Sequence, residues 1–526
     1  MNQLYLPQNQ YEKLMFQTYG PLIKDGSLEL VSDKELVSLE FLEQLQMTKL
    51  VIQYCDKINP KLQSNFIVDF MIDQCGITNI DQLTLPYLQA LNLCGNQIQS
   101  LQSLQGMPLI QMLDISYTYI QDISILSQLS HLKELNIKGN EQTNINDLQE
   151  LIHLTKLNIS ETSLSDISFL KKMLHLQELD NSTFGHEIDF SELNSMTNLT
   201  KLNIGNNQLQ NIDFITQLTN LLELDISNNI ICLEGLRSLV NLTKLTAVRC
   251  DIKDISVLKE LKQLNELNLS KNYNINIEPI NEMTKLQKLN LNLCYVSDIT
   301  HFSSLTNLKQ LVFSRNLIKI CLNPLQSLSS LILLNLQNSQ ISEIKCLYQL
   351  KELRDLDLSY NSNLVISQLY KMNYLVKLNI AWNHICDISA LRHLTNLEQL
   401  NISYNRIIYL GPLQNLKKLK VLHLQYNIVE DFSCLRNNLV FTNKLSHQHS
   451  DAKKHEIYYS RILQCIDIGV ITQNRLQNNQ EKLTRDLLTL KNQVSKLQNS
   501  LILTQLNFTQ NVVYCFQTTQ KNNDYQ

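Results

Sequence analysis

Three histidines recur at intervals of 22 residues: His131, His153 and His175. Imidazole nitrogens are common zinc ligands, so such a column raises the question of a metal site. In other segments the same position holds asparagine, at Asn198, Asn220, Asn241, Asn307 and Asn396. Because an asparagine side chain both donates and accepts hydrogen bonds, we interpret the column as polar residues that form hydrogen bonds just ahead of a strand.

A second group of possible metal ligands lies in the stretch HQHSDAKKH, which contains His447, His449, Asp451 and His455. Their spacing does not match that of a closed tetrahedral site, and no second ligand pair follows. We interpret the stretch as a solvated linker. The chain also has no glycine-rich phosphate loop, no GxSxG and no HExxH motif. The sequence therefore predicts no enzymatic activity, no cofactor and no metal site.

Aromatic residues recur just before an asparagine in four successive segments, LDLSYNSN, LNIAWNHI, LNISYNRI and LHLQYNIV. Tyrosine and tryptophan combine a large rigid surface with a polar tip and are enriched in binding hot spots. Alternatively, rings in adjacent segments only stabilise one another, as cross-strand pairs do. The candidate partner-binding residues are Tyr360, Trp382, Tyr404 and Tyr426. Tyr117 occupies the same position alone.

These residues occupy fixed places in a repeat whose period is 22 residues in most steps and stays between 20 and 23. A fixed period of this size predicts a solenoid of stacked coils, here nineteen of them. The first apolar residue of each predicted strand is Leu28, Leu50, Phe70, Leu91, Leu113, Leu135, Leu157, Leu179, Leu202, Leu224, Leu245, Leu267, Leu289, Leu311, Leu334, Leu356, Leu378, Leu400 and Leu422.

Within each unit the apolar pattern changes its period. Leu91-Asn-Leu93 alternates as a half-buried strand does, and Ile98, Leu101 and Leu104 then recur at intervals of three. Intervals of three favour a tight 3₁₀-like return. The residues that flank the strand leucines are predicted to lie on the concave face. Lysine and glutamate are mixed there, so we expect little steering by charge.

A small polar residue, most often asparagine, lies five residues after most of these first strand residues. The backbone leaves the strand at this point, so an inward donor is predicted to satisfy carbonyl groups of its own coil and of the next coil. Four cysteines fit this position and are predicted to be structural rather than redox or metal-binding residues. They are Cys55, Cys75, Cys250 and Cys294.

One coil, residues 176–198, departs from the pattern. Asn181 stands where an aliphatic core residue is expected, and Phe184 replaces the inward polar residue. The departure indicates either a local bulge repacked around Phe184 or a break in the curvature of the solenoid. The sequence leaves both interpretations open.

The consensus LxxLxLxxNxIxxIxxL resembles the 22-residue leucine-rich repeat of the internalins and of the phosphatase-regulating leucine-rich subunits, from Leu28 to Leu435. The stretch IKDGSLELVSDKELVSLEFL also resembles leucine-rich-repeat families of diplomonad protists. The resemblance implies a right-handed α/β repeat solenoid that binds partners differing from member to member. A regulatory subunit of a protein phosphatase is the alternative function, although no binding residues of that group can be matched here.

Four segments are predicted along the chain. Residues 1–27 form an N-terminal helical cap, 28–436 the solenoid, 437–470 a C-terminal cap or linker, and 471–526 a coiled-coil candidate with a tail. Apolar residues three and four apart in 483–508 predict the coiled-coil seam. Self-association, a partner helix and a helix folded back on the solenoid all remain open.

Composition narrows the possible partners. The 45 basic and 49 acidic residues give a net charge of −4, which provides no basic footprint for nucleic acid or an anionic membrane. The beginning of the chain does not resemble a signal peptide, and no apolar run reaches the length of a membrane span. We therefore expect a cytoplasmic, non-enzymatic scaffold that binds protein partners and, through residues 483–508, other copies of itself.

Overall fold

The computed structural model describes residues 24–31, 38–55, 58–141, 146–184, 188–316, 322–431 and 433–435. Within these residues, nineteen strands form one sheet in which each strand pairs in parallel with the next along the chain. The strands are Ser27–Val31, Lys49–Gln53, Asp69–Asp73, Ala90–Asn92, Met112–Asp114, Glu134–Asn136, Lys156–Asn158, Glu178–Asp180, Lys201–Asn203, Glu223–Asp225, Lys244–Thr246, Glu266–Asn268, Lys288–Asn290, Gln310–Val312, Leu333–Asn335, Asp355–Asp357, Lys377–Asn379, Gln399–Asn401 and Val421–His423.

The register of the sheet follows the sequence repeat. Leu28 pairs with Leu50, Leu50 with Phe70, and Phe70 with Leu91. The same pairing of first strand residues continues to Leu422. All nineteen predicted strands are therefore confirmed, because a fixed period places equivalent apolar residues in one buried column.

Short 3₁₀ helices return the chain from most strands. In the helix Gln102–Gly106, for example, the amide of Leu104 donates to the carbonyl oxygen of Leu101 at 2.9 Å. The described 3₁₀ helices are Glu40–Gln44, Gln102–Gly106, Ser124–Gln128, Asn146–Glu150, Ser168–Lys172, Ser191–Ser195, Asp213–Ile215, Leu233–Leu236, Ser256–Glu260, Glu278–Glu282, Thr300–Ser304, Asn323–Ser327, Lys345–Gln349, Ser367–Lys371, Ser389–His393, Gly411–Asn415 and Ser433–Leu435.

Two coils near the beginning return differently. Leu62–Gln63 and Leu83–Thr84 are two-residue strands that pair with each other in a second parallel sheet. The predicted 3₁₀ return is therefore wrong for the coils that begin at Leu50 and Phe70. These coils span 20 and 21 residues, but the coil that begins at Leu224 also spans 21 residues and returns through the 3₁₀ helix Leu233–Leu236. Coil length alone therefore does not decide the form of the return.

The inward polar residues form a hydrogen-bonded column through the core. The side-chain amide of Asn140 donates to the carbonyl oxygens of Ile137 at 2.9 Å and Ile115 at 2.8 Å. Its Oδ1 accepts from the amides of Thr118 and Ile120 at 3.2 and 3.3 Å. Ile137 belongs to the same coil, but the other three partners belong to the preceding coil. The expectation that this residue bonds to the next coil is therefore wrong in direction, and each asparagine closes the turn of the coil before it.

The four predicted structural cysteines occupy this column and are buried. The Sγ atoms of Cys250 and Cys294 lie 3.2 and 3.1 Å from the carbonyl oxygens of Ile226 and Leu269, each in the preceding coil. Burial raises the pKa of both thiols to about 11. A protonated thiol is a weak donor and a poor nucleophile, which suits a structural position.

The irregular coil keeps the register of the sheet, since Leu179 pairs with Leu202 across a 23-residue spacing. Phe184 is buried, and its ring centroid lies 6.4 Å from that of Phe190. The described part of the coil therefore favours repacking around Phe184. Asn181 is fully buried, and neither its side-chain oxygen nor its side-chain nitrogen has a hydrogen-bond partner.

Several predicted features lie outside the described residues. They are the N-terminal cap up to residue 23, the 437–470 segment with His447, His449, Asp451 and His455, and the coiled-coil candidate at 483–508. They remain predictions from sequence.

Candidate partner-binding site

The four candidate aromatic residues occupy the first turn after the strand, four residues beyond its first leucine. The φ angles of Tyr360, Trp382, Tyr404 and Tyr426 lie between 55° and 60°, in the left-handed region. Each of the first three donates its backbone N–H to a carbonyl of the next coil, as Trp382 does to Ser403 at 3.1 Å. A left-handed conformation costs a residue other than glycine roughly 1 kcal/mol. Each of these four residues therefore adopts a backbone conformation that costs folding free energy.

The four rings form a continuous stack, which we call the aromatic row. Ring centroids are 5.2 Å apart for Tyr360 and Trp382, 4.0 Å for Trp382 and Tyr404, and 3.9 Å for Tyr404 and Tyr426. The first two pairs are nearly parallel, with interplanar angles of 11° and 13°. Stacked pairs contribute about 0.5–1.5 kcal/mol each, enough to offset the strained backbone. Mutual stacking and partner binding are compatible in this arrangement.

The row remains accessible to solvent despite its stacking. The exposed fractions of Tyr360 and Trp382 are 45% and 41%, and Tyr404 and Tyr426 are half-buried. Burial raises the pKa of the Tyr404 and Tyr426 hydroxyls. Both phenols are therefore protonated at neutral pH.

Buried asparagines position the row from below. Asn383 follows Trp382, and its Oδ1 accepts the amide of Asn361 at 2.6 Å. The amide of Asn383 in turn donates to Oδ1 of Asn405 at 3.0 Å. Because these bonds link one coil to the next, they fix the turns from which the rings project.

A flanking set of exposed residues was missed by the sequence analysis. It lies just beyond the aromatic row on the outer side of the turns. Its members are His384, Arg406, Ile408, Tyr409 and Ile428. The sequence signal was available, because the inward–outward alternation continues past the buried asparagine and places the second residue after each ring outward.

Tyr117 occupies the same left-handed position but has different neighbours. Its hydroxyl donates to Oε2 of Glu161 at 2.7 Å, and Lys138 Nζ lies 3.1 Å from the other carboxylate oxygen. The ring lies so close to Gly139 that a side chain there would collide with it. Hydrogen bonding from Tyr117 lowers the pKa of Glu161. Tyr117 is thus engaged within the protein itself.

Strand-flanking asparagines and aspartates of the sheet close the turns rather than simply covering the concave face. Oδ1 of Asp114 accepts the amide of Ser116 at 2.9 Å, and Oδ1 of Asp357 accepts that of Ser359 at 2.9 Å. Such side-chain-to-backbone bonds two residues ahead are typical of Asx turns. The column therefore has a structural role.

Glutamate and lysine alternate along eight successive strands, in a set that we call the charge ladder. Lys156 Nζ lies 3.3 Å from Glu134 and 3.8 Å from Glu178, and Lys201 Nζ lies 3.8 Å from Glu178 and 3.4 Å from Glu223. The members are Glu134, Lys156, Glu178, Lys201, Glu223, Lys244, Glu266 and Lys288. Each charge thus faces the opposite charge in a neighbouring coil.

The histidine column is exposed at all three positions, His131, His153 and His175. At the equivalent position Asn198 donates from Nδ2 to the carbonyl oxygen of Leu174 at 2.8 Å, as the hydrogen-bonding interpretation requires of the asparagines. Among the described residues, no three histidine, cysteine, aspartate or glutamate side chains are grouped so that they could hold a metal ion. No helix in the same ranges is long and apolar enough to cross a membrane.

Two stretches of the repeat match a known protein family. The family model for leucine-rich repeats in two copies matches residues 197–238 and 395–437. No curated protein sequence matches the chain significantly.

Solved structures with a similar fold include a leucine-rich-repeat protein of Leptospira interrogans, 22% identical, covering 71% of this chain and 92% of that one with a TM-score of 0.52. TLR13 in complex with ssRNA13 is also 22% identical and covers 74% of this chain and 64% of its own, with a TM-score of 0.54. An internalin of Listeria monocytogenes is 24% identical over 72% of this chain and 87% of that one, with a TM-score of 0.32. The family match identifies leucine-rich repeats at residues 197–238 and 395–437, and the parallel sheet and the solved structures of similar fold show a leucine-rich-repeat architecture.

Proposed function

We propose that this protein is a non-enzymatic scaffold that binds a protein partner through the concave face and its C-terminal edge, with the aromatic row as the docking site. The observation that supports this proposal is an exposed stack of four aromatic rings at successive coils. Trp382 and Tyr404 are the proposed anchors, because they lie at the centre of the row. Central, rigid aromatic residues dominate the energy of many interfaces.

The other polar columns of the sheet are poorer candidates because their side chains already satisfy one another. The Asx column bonds its own backbone, and the charge ladder pairs its charges between coils. A partner would have to displace these interactions before it gained its own. In the aromatic row, Tyr360 and Trp382 keep 45% and 41% of their surface exposed while they stack, so a partner can contact them without separating the rings.

A double substitution, Trp382→Ala with Tyr404→Ala, tests this proposal. We expect full-length wild-type protein used as bait to enrich a partner identified by mass spectrometry, and the double variant to lose it. Tyr117→Ala is the matched control, because it removes a ring from the same backbone position far from the row. The double variant should unfold at a lower temperature, because it removes all three ring pairs of the row, but it should keep a cooperative transition that shows it is folded. Retention of the partner by a folded double variant would exclude the row as the docking site.

We also propose that residues 483–508 drive self-association, on the strength of the heptad pattern. Sedimentation of the full chain and of a chain ending at residue 470 measures this directly. Two charged substitutions in the seam, Leu490→Lys and Leu497→Lys, disrupt it in the full-length protein. Equal monomer masses for all forms would refute self-association without affecting the proposal for the aromatic row.

A further inference from the structure

The last four complete returns of the solenoid differ in charge from those before them. A return here runs from the first residue of a 3₁₀ helix to the residue before the next strand. The eleven returns between residues 102 and 332 contain eight basic and eight acidic residues. The four that follow, 345–354, 367–376, 389–398 and 411–420, contain eight basic and two acidic residues. The net charge of −4 therefore averages over a local excess of positive charge.

These eight basic residues, which we call the basic face, lie on 3₁₀ helices that pack side by side and on the segments that follow them. They are Lys345, Lys351, Arg354, Lys371, Arg392, Lys417, Lys418 and Lys420. All are exposed except Arg354, which is half-buried. None belongs to a strand or to the turns that hold the aromatic row, so the basic face and the proposed docking site are separate surfaces.

The acids of the same returns compensate only two of these charges. Glu352 lies 3.3 Å from Arg354, and Glu398 lies 2.7 Å from Lys420. The other six basic residues form no ion pair with a carboxylate in the part of the chain that the structure describes. Six uncompensated positive charges therefore remain on the face.

Acids in the bordering turns do not reverse this sign. Glu343 and Asp387 are exposed two residues ahead of the first and third returns, which leaves eight basic residues against four acidic ones. Asp387 closes its turn by accepting an amide and a hydroxyl of the third return at 2.8 and 3.0 Å. Glu430 and Asp431 lie beyond the fourth return, ahead of the next 3₁₀ helix, Ser433–Leu435.

Tyrosine rings hold two of the uncompensated lysines in place. Lys371 Nζ lies 4.7 Å from the ring centroid of Tyr348 and 5.5 Å from that of Tyr370. Lys351 Nζ lies 5.6 Å from the ring centroid of Tyr348 and 5.4 Å from that of Tyr374. An aromatic ring attracts an ammonium group without removing its charge. Both lysines are thus positioned and still charged.

Apolar and aromatic side chains are exposed beside the basic charges. Tyr370 is exposed within the second return, and Val365 is exposed two residues ahead of that return. Tyr409, 70% exposed, lies against Gly411, the first residue of the fourth return. Exposed apolar groups among lysines are typical of surfaces that bind membranes, because the apolar groups enter the boundary between lipid headgroups and acyl chains.

We infer that the basic face docks on an anionic membrane surface, such as one that contains phosphatidylserine. Lysine supplies six of its eight charges, and an ammonium group is a point charge that suits a layer of anionic headgroups rather than one bidentate ligand. The chain that follows does not complement the face, because residues 436–526 contain eleven basic and six acidic residues. This inference is independent of the proposed function.

Nucleic acid is the other polyanion to consider, and the arrangement favours it less. Stacking of bases requires open aromatic faces, whereas the rings of Tyr348 and Tyr370 already contact Lys371. Binding to a phosphate backbone makes no use of exposed Val365 and Tyr409. Binding to an RNA duplex is therefore an outcome of the test.

The test sediments full-length protein with vesicles of phosphatidylcholine alone or with about 30% phosphatidylserine. We expect binding only to vesicles that contain phosphatidylserine, with release in about 0.5 M salt. Lys371→Glu combined with Lys417→Glu should weaken binding roughly tenfold or more. The matched control, Lys172→Glu with Lys262→Glu, makes the same charge change at equivalent positions of two earlier returns and should bind like wild type. Circular dichroism confirms that each variant is folded.

Three results would overturn the inference. If folded wild-type protein does not sediment with phosphatidylserine vesicles, the basic face does not dock on membranes. If the test and control variants bind equally well, the binding lies elsewhere, for example in residues 436–526. If an RNA duplex of about 20 base pairs binds more tightly than the vesicles and depends on Lys371 and Lys417, the face serves nucleic acid instead.

Discussion

The charge ladder from Glu134 to Lys288 lies in strands of the sheet, and the aromatic row from Tyr360 to Tyr426 lies in the turns that follow later strands of the same sheet. The same repeat therefore carries two kinds of surface column. In the ladder, neighbouring coils carry opposite charges, so each side chain finds its partner above or below. In the row, neighbouring coils carry similar rings, which stack on one another and remain partly exposed to solvent. Where successive coils carry opposite charges at one position, the side chains pair with one another. Where they carry similar aromatic rings, the side chains stack and part of their surface stays open to a partner.

The buried asparagine column lies beneath both regions, so its removal should damage them equally. Asn383 donates to the carbonyl oxygens of Leu358 and Ala381 at 3.0 and 3.1 Å. Its Oδ1 also accepts the buried amide of Asn361 at 2.6 Å. Asn383→Ala removes all three bonds and leaves that amide without its acceptor, so it should lower the free energy of unfolding by about 2–4 kcal/mol. Urea unfolding measures the loss, with Asn140→Ala as the counterpart near the ladder. A loss well below 1 kcal/mol in either region would contradict the shared role of the column.

Asn181 offers the opposite change within the charge-ladder region. Its buried side-chain amide has no hydrogen-bond partner, whereas the equivalent positions hold aliphatic residues such as Leu93 and Ile115. Asn181→Leu should raise the free energy of unfolding by about 1–3 kcal/mol, because an unsatisfied polar group leaves the core. If the variant is less stable than wild type in the same urea titration, the packing around Phe184 depends on the amide.

Low pH should destabilise the coils that contain Asp166 and Asp254, whereas high pH should destabilise the aromatic row. Asp166 accepts the amide of Ser168 at 2.7 Å, and such bonds lower its pKa, as they also do for Asp254. A lowered folded pKa means that the stabilisation is complete above the unfolded value of about 3.9 and is lost as pH falls. The raised pKa values of Tyr404 and Tyr426 mean that stabilisation is present below about pH 10 and is lost as pH rises.

Thermal unfolding across the pH range measures both effects. Asp166→Asn keeps a hydrogen-bond acceptor and should weaken only the acid dependence, and Tyr426→Phe should weaken only the alkaline dependence. If the melting temperature of both variants depends on pH just as that of wild type does, neither group contributes to the pH dependence of stability.

The smallest expected effect concerns a single charge of the ladder. Lys201→Gln removes an exposed charge that lies between Glu178 and Glu223, so the melting temperature should fall only slightly. This difference should vanish in about 1 M salt, where the screening length is roughly 3 Å. Asn203→Ser, a neutral change on the same strand, is the control that should not respond to salt. A large fall in melting temperature that does not change with salt would mean that Lys201 stabilises the fold by more than its ion pairs with the neighbouring strands.

Much of the fold followed from periodicity alone. The fixed spacing identified the buried residue by which each of the nineteen strands pairs with its neighbour, and the recurring asparagine identified the buried column. The extended returns at Leu62 and Leu83 were missed because apolar residues at intervals of three do not distinguish a 3₁₀ turn from a two-residue strand. The direction of the asparagine bonds was missed because sequence does not encode which neighbouring coil a side chain reaches.

The candidate site was predicted as four residues in one column, and the structure brings their rings into contact. Stacking of rings in adjacent coils was one of the two alternatives open from sequence, but the nearly parallel arrangement of Tyr360, Trp382 and Tyr404 was not foreseen, because ring orientation depends on side-chain packing between coils. Residue type and spacing do not contain that information.

Site-specific photocrosslinking compares the two regions most directly. A photoreactive benzoylphenylalanine is introduced at Tyr404 in one full-length protein and at Lys201 in another, and each is irradiated in the cells that produce it. We expect a discrete crosslinked protein when the photoreactive residue is at position 404 and none when it is at position 201. The crosslink from position 404 should disappear in the Trp382→Ala variant. The same crosslinked protein from position 201, with none from position 404, would contradict this expectation.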